Sequence, residues 1–248
     1  VGTLNASGGT VQTGQSCTNN ATIQNTGSAT VFYCDVLNTG FGTIKGGTYS
    51  YPVENTGIIT GGSFNKTVTS NGTINDGTFN GTVNNTGIVT GGTFNGATTG
   101  IYTVTFDSGV PSQIRANYPA TAPDAPTRMG YTFDGWFKGG TQYDFIENVT
   151  ENISLTANWT AKSYTVRFDT NGGTAIGDKT DVKWTDSVLE NIEFPKRPGY
   201  YFVGWKCGET AVHAATTYAD LAENESVQSV TLTALWEATG FPWGEIRI

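Results

Sequence analysis

Large apolar residues recur at a fixed spacing through the first hundred residues of the chain. Aromatic side chains stand fifteen positions apart, and β-branched residues and glycines keep the same period. The columns are Tyr49, Phe64, Phe79 and Phe94; Ile44, Ile59, Ile74 and Val89; Val53, Val68 and Val83; Gly47, Gly62, Gly77 and Gly92; and Gly57, Gly72 and Gly87. Such a period is typical of a solenoid, whose repeats bury their apolar faces against one another.

Within one period, polar and apolar positions alternate as they do along a half-buried β-strand. Residues 78–83 (TFNGTV) show this alternation, and Asn-Gly, Thr-Gly and Gly-Gly pairs punctuate it as turns do. Fifteen residues are too few for a strand, a helix and a crossover, so we expect two or three short strands per turn, or rung. Rungs stacked about 4.8 Å apart would hold Phe, Ile and Val in inner columns, and Thr and Asn in outer ladders.

The first 43 residues keep this composition but lose the regular period. The motif Asn-Thr-Gly occurs at 25–27, 38–40 and 55–57, at spacings of thirteen and seventeen. We expect degenerate rungs or a cap here, because terminal repeats must shield an open strand edge. A disordered linker is the alternative for the whole N-terminal repeat region, since Gly, Asn, Thr and Ser dominate it. The aromatic period favours the solenoid, because a disordered segment has no reason to keep it.

From residue 101 the pattern changes to two copies of a longer unit. Each copy opens with an alternating strand, continues with a Gly-Tyr element that ends in Gly-Trp, and closes with a second alternating strand. The three motifs lie at 102–107 (YTVTFD), 130–136 (GYTFDGW) and 153–159 (ISLTANW), and again at 164–169, 199–205 and 230–236. The second copy is longer by seven residues before its Gly-Tyr element and by eight after its Gly-Trp.

This order of motifs resembles the Listeria–Bacteroides repeat family, the B-repeat of internalin-type surface proteins. The matching features are YTVxFD, PxRxGYxFxGW and LxAxW, over about 101–160 and 162–237. The second copy departs from the family at Val203, where Asp is usual, and in its insertions. The resemblance implies small β-grasp-like modules with a mixed sheet, in a secreted bacterial cell-surface protein where they act as spacers or interaction domains. It implies no catalytic residues.

The aromatic residues of the shared motifs are expected to form the two module cores, because a domain of about sixty residues needs large side chains to bury enough surface. They are Tyr131, Phe133, Trp136 and Trp159 in the first copy, and Tyr200, Phe202, Trp205 and Trp236 in the second. A short helix is expected in the second copy, at 189–194 or 217–224. Residues 219–223 (ADLAE) are its best candidate.

Charge and apolar runs exclude several classes of partner. The chain of 248 residues has a net charge of −8 and only 13 Lys and Arg. Nucleic acids and anionic membranes need clustered cations, so neither is expected as a partner. No apolar run approaches about 18 residues, so no membrane insertion is expected in this segment. Val1 resembles a mid-chain start, and we expect a fragment of a longer protein.

The cysteines leave two interpretations open. Cys17 and Cys34 could pair and close a loop, which would suit an extracellular setting; the alternative is that they are free buried thiols. Cys207 would then be the odd one. The chain has no Cys-x-x-Cys motif and only one histidine, His213, so neither a metal site nor a cofactor is predicted.

Aromatic residues outside the repeat pattern are the candidates for ligand contact. Trp184, Tyr51 and Tyr143 could stack on a sugar ring or contact a protein partner. The Gly-Trp tryptophans, by contrast, end alternating strands and are expected in the cores. Trp243, in the tail, is expected to belong to a linker or to contact a neighbouring domain.

The sequence gives little support for a catalytic function. Glu54 and Asp76 are the only acids within residues 44–99, and they occupy different columns. General acid–base catalysis needs two groups aimed at one bond. No Gly-x-Ser-x-Gly motif accompanies His213. Residues 169–173 (DTNGG) offer one carboxylate, fewer than a calcium site needs, and predict a turn.

These observations predict a mainly β chain in four parts. They are a β-solenoid at 1–100, two small β-grasp-like modules at 101–160 and 161–237, and a tail or linker at 238–248. The predicted function is that of a non-catalytic, extracellular, cell-surface stalk or spacer related to adhesion. The alternatives are an adhesin domain that binds a host or environmental glycan or protein, and a fragment of a polysaccharide-active enzyme.

Overall fold

The computed structural model describes residues 3–6, 9–11, 17–19, 22–25 and 30–240, and these residues are almost entirely β. By mutual contact the chain divides into two compact units. The first comprises Val1–Pro126 and Gly135–Asn158, and the second comprises Thr127–Asp134 and Trp159–Ile248.

Sixteen short strands build the N-terminal region in the described residues. They are β1 (Thr3–Ala6), β2 (Gly9–Val11), β3 (Cys17–Asn19), β4 (Thr22–Asn25), β5 (Thr30–Phe32), β6 (Val36–Asn38), β7 (Thr43–Ile44), β8 (Thr48–Tyr49), β9 (Val53–Asn55), β10 (Ile58–Phe64), β11 (Val68–Ser70), β12 (Thr73–Phe79), β13 (Val83–Asn85), β14 (Ile88–Val89), β15 (Thr93–Phe94) and β16 (Thr98–Thr99). Their ladders are parallel and form a ten-stranded and a six-stranded sheet.

The pairing register confirms the solenoid and its fifteen-residue rung. Strand β10 pairs with β12 so that Ile59 faces Ile74 and Phe64 faces Phe79. Strand β11 pairs with β13 so that Val68 faces Val83. Residues of one column therefore lie directly next to one another on successive rungs. The strands stack in about five turns.

The apolar columns form the core of the solenoid, as the sequence predicts. Side chains of the Ile, Val and aromatic columns are almost completely buried between residues 44 and 89. The aromatic rings stack nearly parallel, with centroids 4.7–4.8 Å apart from Phe32 to Phe94. Phe32 extends the stack beyond the predicted column, because it pairs with Tyr49 across a longer rung.

The N-terminal strands continue the solenoid as longer rungs. Strand β6 pairs with β9 through Val36 and Val53, and β3 pairs with β6 through Cys17 and Val36. The expectation of degenerate rungs therefore holds for the described strands, and the alternative of a disordered linker is wrong for them. The turn containing Thr26 and Gly27 lies outside the described residues.

Two five-stranded sheets follow the solenoid. The first contains β17 (Tyr102–Phe106), β18 (Gln113–Arg115), β19 (Tyr131–Lys138), β20 (Thr141–Gln142) and β21 (Ile153–Ala161). The second contains β22 (Tyr164–Asp169), β23 (Lys179–Val182), β24 (Tyr200–Cys207), β25 (Thr210–Val212) and β26 (Ser229–Ala238). Both have the strand order 2-1-5-3-4, with a parallel central pair and antiparallel hairpins. This mixed sheet is the β-grasp arrangement that the family resemblance implies.

Of the eight predicted core aromatics, Trp136 and Trp205 are buried, Tyr200 is exposed, and the other five are partly buried. Trp136 and Trp205 are 3% and 2% exposed. Tyr200, expected in the core, is 39% exposed. It lies beneath the Arg197 guanidinium, 3.9 Å from the ring centroid, so the first residue of β24 belongs to the surface turn rather than to the core.

The expected helix in the second repeat is wrong. Residues 189–194 form a turn and an extended segment, and a single 3-10 turn covers Tyr218–Asp220. The Asn224 side chain accepts a hydrogen bond from the Ser226 N–H at 2.9 Å. Such a local side-chain bond offers the backbone an alternative to helix, and this explains why residues 219–223 do not extend the turn.

The strands leave short connections between the parts of the chain. Strand β16 ends at Thr99 and β17 begins at Tyr102, while β21 ends at Ala161 and β22 begins at Tyr164. The division into 1–100, 101–160, 161–237 and 238–248 stays a prediction. Residues 241–248 of the tail, with Trp243, lie outside the described residues.

Candidate functional site

The junction between the last rungs and the first repeat is a packed interface within the first unit. Val89 and Ala116 exchange backbone hydrogen bonds of 3.0 and 3.1 Å, and both residues are fully buried. The Arg115 guanidinium donates to the Thr90 carbonyl at 2.7 Å. The Asn117 amide donates to the carbonyl of Gly87 at 3.1 Å. The first repeat therefore caps the open end of the solenoid core.

A second polar feature runs through the interior of the solenoid. Asn19, Asn38 and Asn55 form a buried ladder in which each side-chain amide donates to the next carbonyl oxygen at 2.6 Å. Asn55 donates in turn to the Ser70 hydroxyl at 3.0 Å. Sequence reasoning missed this column because Asn is expected outside. Its signal is the residue two positions before Gly40, Gly57, Gly72 and Gly87, which is Asn or Ser each time while the spacing drifts.

The predicted outer ladders are present at the surface of the solenoid. Asn80 donates to Asn65, and Asn95 donates to Asn80, each at 2.9 Å between side chains that face solvent. On the six-stranded sheet, Thr99 donates to Asn84 at 3.1 Å. A shallow groove of about 280 Å³ follows this face and is lined by hydroxyl and amide groups together with Glu54.

Glu54 and Asp76, the two acids of residues 44–99, lie on different sheets. Glu54 lies on β9 in the six-stranded sheet, whereas Asp76 lies on β12 in the ten-stranded sheet, where it accepts a bond from the Gly77 N–H at 2.8 Å. His213 is exposed, between β25 and the 3-10 turn. Residues 169–173 form a turn in which the Asn171 N–H donates to the Asp169 carboxylate at 3.0 Å.

The three aromatic candidates for ligand contact lie in different settings. Tyr51 is 47% exposed beside β8. Tyr143 follows β20 and packs edge-on against Phe145, with centroids 4.8 Å apart. Trp184 is half-buried and packs on Tyr164 at 5.6 Å. Tyr51 lies on the solenoid and Tyr143 in the first repeat, both in the first unit, whereas Trp184 belongs to the second unit.

Trp184 contributes to a contact within the second unit. Gly130, on the turn that precedes β19, is buried against the indole, since a Cβ there would overlap the Trp184 side chain. The Gly130 N–H donates to a Glu225 carboxylate oxygen at 2.9 Å, and the Lys162 ammonium lies 3.2 Å from the same oxygen. These two donors, the Gly130 N–H first, hold the pKa of Glu225 below its usual value.

The structure joins Cys17 and Cys34 as a disulfide, with Cα atoms 6.3 Å apart. The pair links neighbouring rungs, because β3 pairs with β6 two residues after Cys34. Cys207 is a free thiol on β24, and burial raises its pKa. Among the described residues, no group of three or more His, Cys, Asp or Glu side chains could hold a metal ion. No helix in that part of the chain is long and apolar enough to cross a membrane.

Known proteins resemble part of the chain. The chain is 38% identical over 120 residues to Internalin H of Listeria monocytogenes, a match of 45% of this chain and 21% of that protein. It is 30% identical over 146 residues to a "Putative membrane protein" of Evansella cellulosilytica, a match of 55% of this chain and 21% of that protein. The matched part thus spans about a fifth of the length of these relatives.

The family model of the Listeria-Bacteroides repeat domain matches the chain twice. Its two matches cover residues 102–158 and 164–234, just over half of the chain. They coincide with the two five-stranded sheets of equal strand order. The chain therefore belongs to the Listeria-Bacteroides repeat domain family.

Proposed function

We propose that the chain is a non-catalytic spacer in an extracellular, bacterial cell-surface protein, where it holds a binding or anchoring part away from the envelope. The names of its relatives, an internalin and a membrane protein, support a place at the cell surface. The observation that carries the proposal is the packed joint between the solenoid and the first repeat, because a spacer must resist bending where its parts meet.

The contacts at this joint support stiffness. Only two residues separate β16 from β17. Ile101 and Ile114 pack against the solenoid core at the end that Ala116 closes. A hinge at this point would expose the buried Val89 and break its two backbone bonds to Ala116. Burial of apolar area and paired backbone groups both oppose that opening.

A distance measurement across the joint tests the proposal. Phe41 and Ile146 are 87% and 73% exposed and both lie in the first unit. Spin labels on Phe41→Cys and Ile146→Cys, in a chain carrying Cys207→Ser, should give a narrow distance distribution by double electron–electron resonance. A broad distribution would show a hinge at the joint and contradict a stiff spacer.

The parent chain with Cys207→Ser alone is the control for labelling. Because Cys17 and Cys34 form a disulfide, this parent should take up no label until it is reduced. Labelling without reduction would show free thiols instead.

An adhesin is the second candidate function, supported by exposed tyrosines on the solenoid. Tyr33 and Tyr51 are 44% and 47% exposed on neighbouring rungs, and tyrosine can stack on sugar rings. The full chain should then bind members of a glycan array, and Tyr51→Ala should weaken that binding. Tyr143→Ala and Trp184→Ala test the other two candidates in the same way. Absence of binding to glycans, matrix proteins and cells would contradict the adhesin and favour the spacer.

A further inference from the structure

The chain contains four Asn-Gly pairs, and all four asparagines are exposed to solvent. Three pairs lie in the solenoid and one lies in the turn after β22 of the second repeat; they are 71–72, 80–81, 95–96 and 171–172. An Asn-Gly pair is prone to lose the asparagine amide, because no side chain hinders attack by the glycine nitrogen. Sequence and exposure do not separate the four pairs, whereas their backbone contacts do.

The three glycine nitrogens of the solenoid are held by an earlier rung. Their N–H groups donate to backbone carbonyls at 3.1, 3.2 and 3.3 Å, in the pairs Gly72 to Asn55, Gly81 to Phe64 and Gly96 to Phe79. A Cβ added to any of these glycines would come within 2.2–2.3 Å of a backbone carbonyl oxygen. A nitrogen that is bonded and packed in this way can reach its own asparagine side chain only after the rung opens locally.

Gly172 differs from the solenoid glycines in both respects. It is exposed, and the described part of the chain offers no acceptor to its N–H. The atom nearest to the place that its Cβ would take is Nε of the Arg197 side chain, 3.4 Å away. Water can therefore reach the Gly172 nitrogen without any opening of the backbone.

The Asn171 side chain is also held less firmly than its solenoid counterparts. Its amide donates only a long hydrogen bond of 3.4 Å, to the Ala234 carbonyl. The amides of Asn80 and Asn95 each donate at 2.9 Å to the asparagine one rung earlier. Rotation of the side chain towards the following nitrogen thus breaks less structure at Asn171.

The Arg197 guanidinium contacts the peptide group between Asn171 and Gly172. Its Nη1 atom donates to the Asn171 carbonyl oxygen at 3.2 Å. Loss of the Gly172 proton spreads a negative charge over the nitrogen and the oxygen of this peptide group, so a cation at the oxygen stabilises the anion. The Tyr200 ring, with its centroid 3.9 Å from Cζ, supports the guanidinium in this position.

We propose that Asn171 is a site of spontaneous deamidation and that Arg197 promotes the reaction. The Gly172 N–H gives its proton to water or hydroxide, and the nitrogen then attacks the Asn171 Cγ. The new C–N bond closes a succinimide ring, and the side-chain nitrogen leaves as ammonia after taking a proton from water. A water molecule then opens the ring at either carbonyl, which leaves aspartate or isoaspartate at position 171. The sum is one water consumed and one ammonia released.

The modification goes beyond the proposed spacer function and needs no enzyme. It adds one negative charge to a chain whose net charge is −8. Isoaspartate would also route the main chain through a side chain, in a turn whose Thr170 carbonyl accepts the Trp236 indole N–H at 3.0 Å. The second repeat would therefore change with age at one turn, while the rungs of the solenoid stay intact.

Mass spectrometry of the full chain tests the site against three internal references. The folded chain is incubated in oxygen-18 water at mildly alkaline pH and digested in ordinary water. Trypsin releases residues 168–179 with Asn171, and residues 67–115 with Asn71, Asn80 and Asn95. Deamidation at Asn171 should be at least about tenfold faster than at the other three, because their glycine nitrogens need local opening. Equal rates at the four positions of the folded chain would overturn the proposal.

The same incubation in guanidinium chloride shows whether structure sets the difference. Unfolding removes the solenoid bonds and the Arg197 contact, so the four rates should converge to within about threefold. If Asn171 stays about tenfold faster than the others in the unfolded chain, the local sequence sets its rate and the structural argument is wrong.

A pair of variants tests the role of Arg197. Arg197→Gln should slow deamidation at Asn171 by about threefold or more, because the anion loses its cation. Lys196 is exposed, and Lys196→Gln removes the same charge but should leave the rate within about twofold. A merely structural role of Arg197 predicts the opposite result, since a looser turn lets the nitrogen approach the side chain more easily. An unchanged or faster rate in Arg197→Gln would therefore overturn the promotion by Arg197.

Discussion

The solenoid and the second repeat bury similar side chains by different geometries. In the solenoid, translation by one rung places each aromatic ring on an identical neighbour, and interplanar angles are only 2–9°. In the second repeat, Trp205 meets Phe168 and Phe202 edge-on, at 64° and 65°. A stacked core reuses one residue type per column, whereas a closed sheet needs a different partner at each position. A change in the solenoid should therefore act on both adjoining rungs, and a change in a repeat on one local contact.

The largest effect is expected from a charge in the aromatic stack. Phe79 is fully buried between Phe64 and Phe94, with centroids 4.8 Å away on each side. Phe79→Asp should lower the free energy of unfolding of the solenoid by about 3–5 kcal/mol or more, since it removes the ring and buries an unpaired carboxylate. Urea unfolding followed by circular dichroism measures this loss.

Phe41→Asp is the matched control for the stack. Phe41 is 87% exposed in the same region, so its replacement should change the free energy of unfolding by less than about 0.5 kcal/mol. Equal effects of the two substitutions would show that the aromatic column does not carry the solenoid.

The repeat region offers a paired test of a local contact. Gly130 and Gly199 share a φ of +77°, a conformation that costs an L-residue about 1–2 kcal/mol. Gly199→Ala should lower the free energy of unfolding by this conformational cost alone. Gly130→Ala should cost about 1–3 kcal/mol more, because its methyl group would meet Trp184, whose Cγ lies 2.9 Å from the Cβ position. Urea unfolding monitored by tryptophan fluorescence compares the two variants. Equal losses of unfolding free energy would argue against close packing of Trp184 on Gly130.

The inner and outer asparagine ladders allow the same residue to be tested in two environments. Asn55 is 1% exposed and bonds to Asn38 and Ser70. Asn55→Ala should lower the free energy of unfolding by about 1–3 kcal/mol, because buried polar groups lose their partners. Asn80→Ala removes an exposed ladder member and should cost less than about 0.5 kcal/mol. Thermal unfolding of both variants decides whether burial, rather than the ladder itself, sets the cost.

These ladders also show what the sequence can and cannot predict. The columns of Ile59, Phe64 and Val68 were predictable because a fixed period and strand alternation identify buried positions without any knowledge of the partner. The inner ladder was not, because Asn38 and Asn55 are seventeen residues apart and polar residues are expected outside. An interior amide is stable only when the next rung provides its hydrogen bond, and that condition appears only in three dimensions.

The repeats divide in the same way between motif and tertiary contact. Sheet order and the buried Trp136 and Trp205 follow from the ordered motifs. The exposure of Tyr200 and the contact between Gly130 and Trp184 do not, because they depend on which residues cover the turn. Residues 217–224 favoured a helix locally, but the Asn224 side chain binds the backbone at Ser226 instead. The sequence thus predicts the sheets, whereas the surfaces that join them can be identified only from the three-dimensional structure.

The smallest effect is expected from the Glu225 carboxylate at the turn that contains Gly130, and this effect should depend on pH. The Gly130 N–H and the Lys162 ammonium lower the pKa of Glu225 in the folded chain. A lowered folded pKa adds stability that is complete above the unfolded value of about 4.3 and is lost as the pH falls through the folded value. Glu225→Gln should therefore weaken the protection of the Gly130 amide at pH 7, and the difference from the unaltered chain should shrink as the pH falls below about 4. Hydrogen exchange of the Gly130 amide at several pH values measures this difference. Glu223 is exposed, so Glu223→Gln is the charge-matched control. A difference that persists at low pH would mean that the side chain holds the turn by packing and not by its charge.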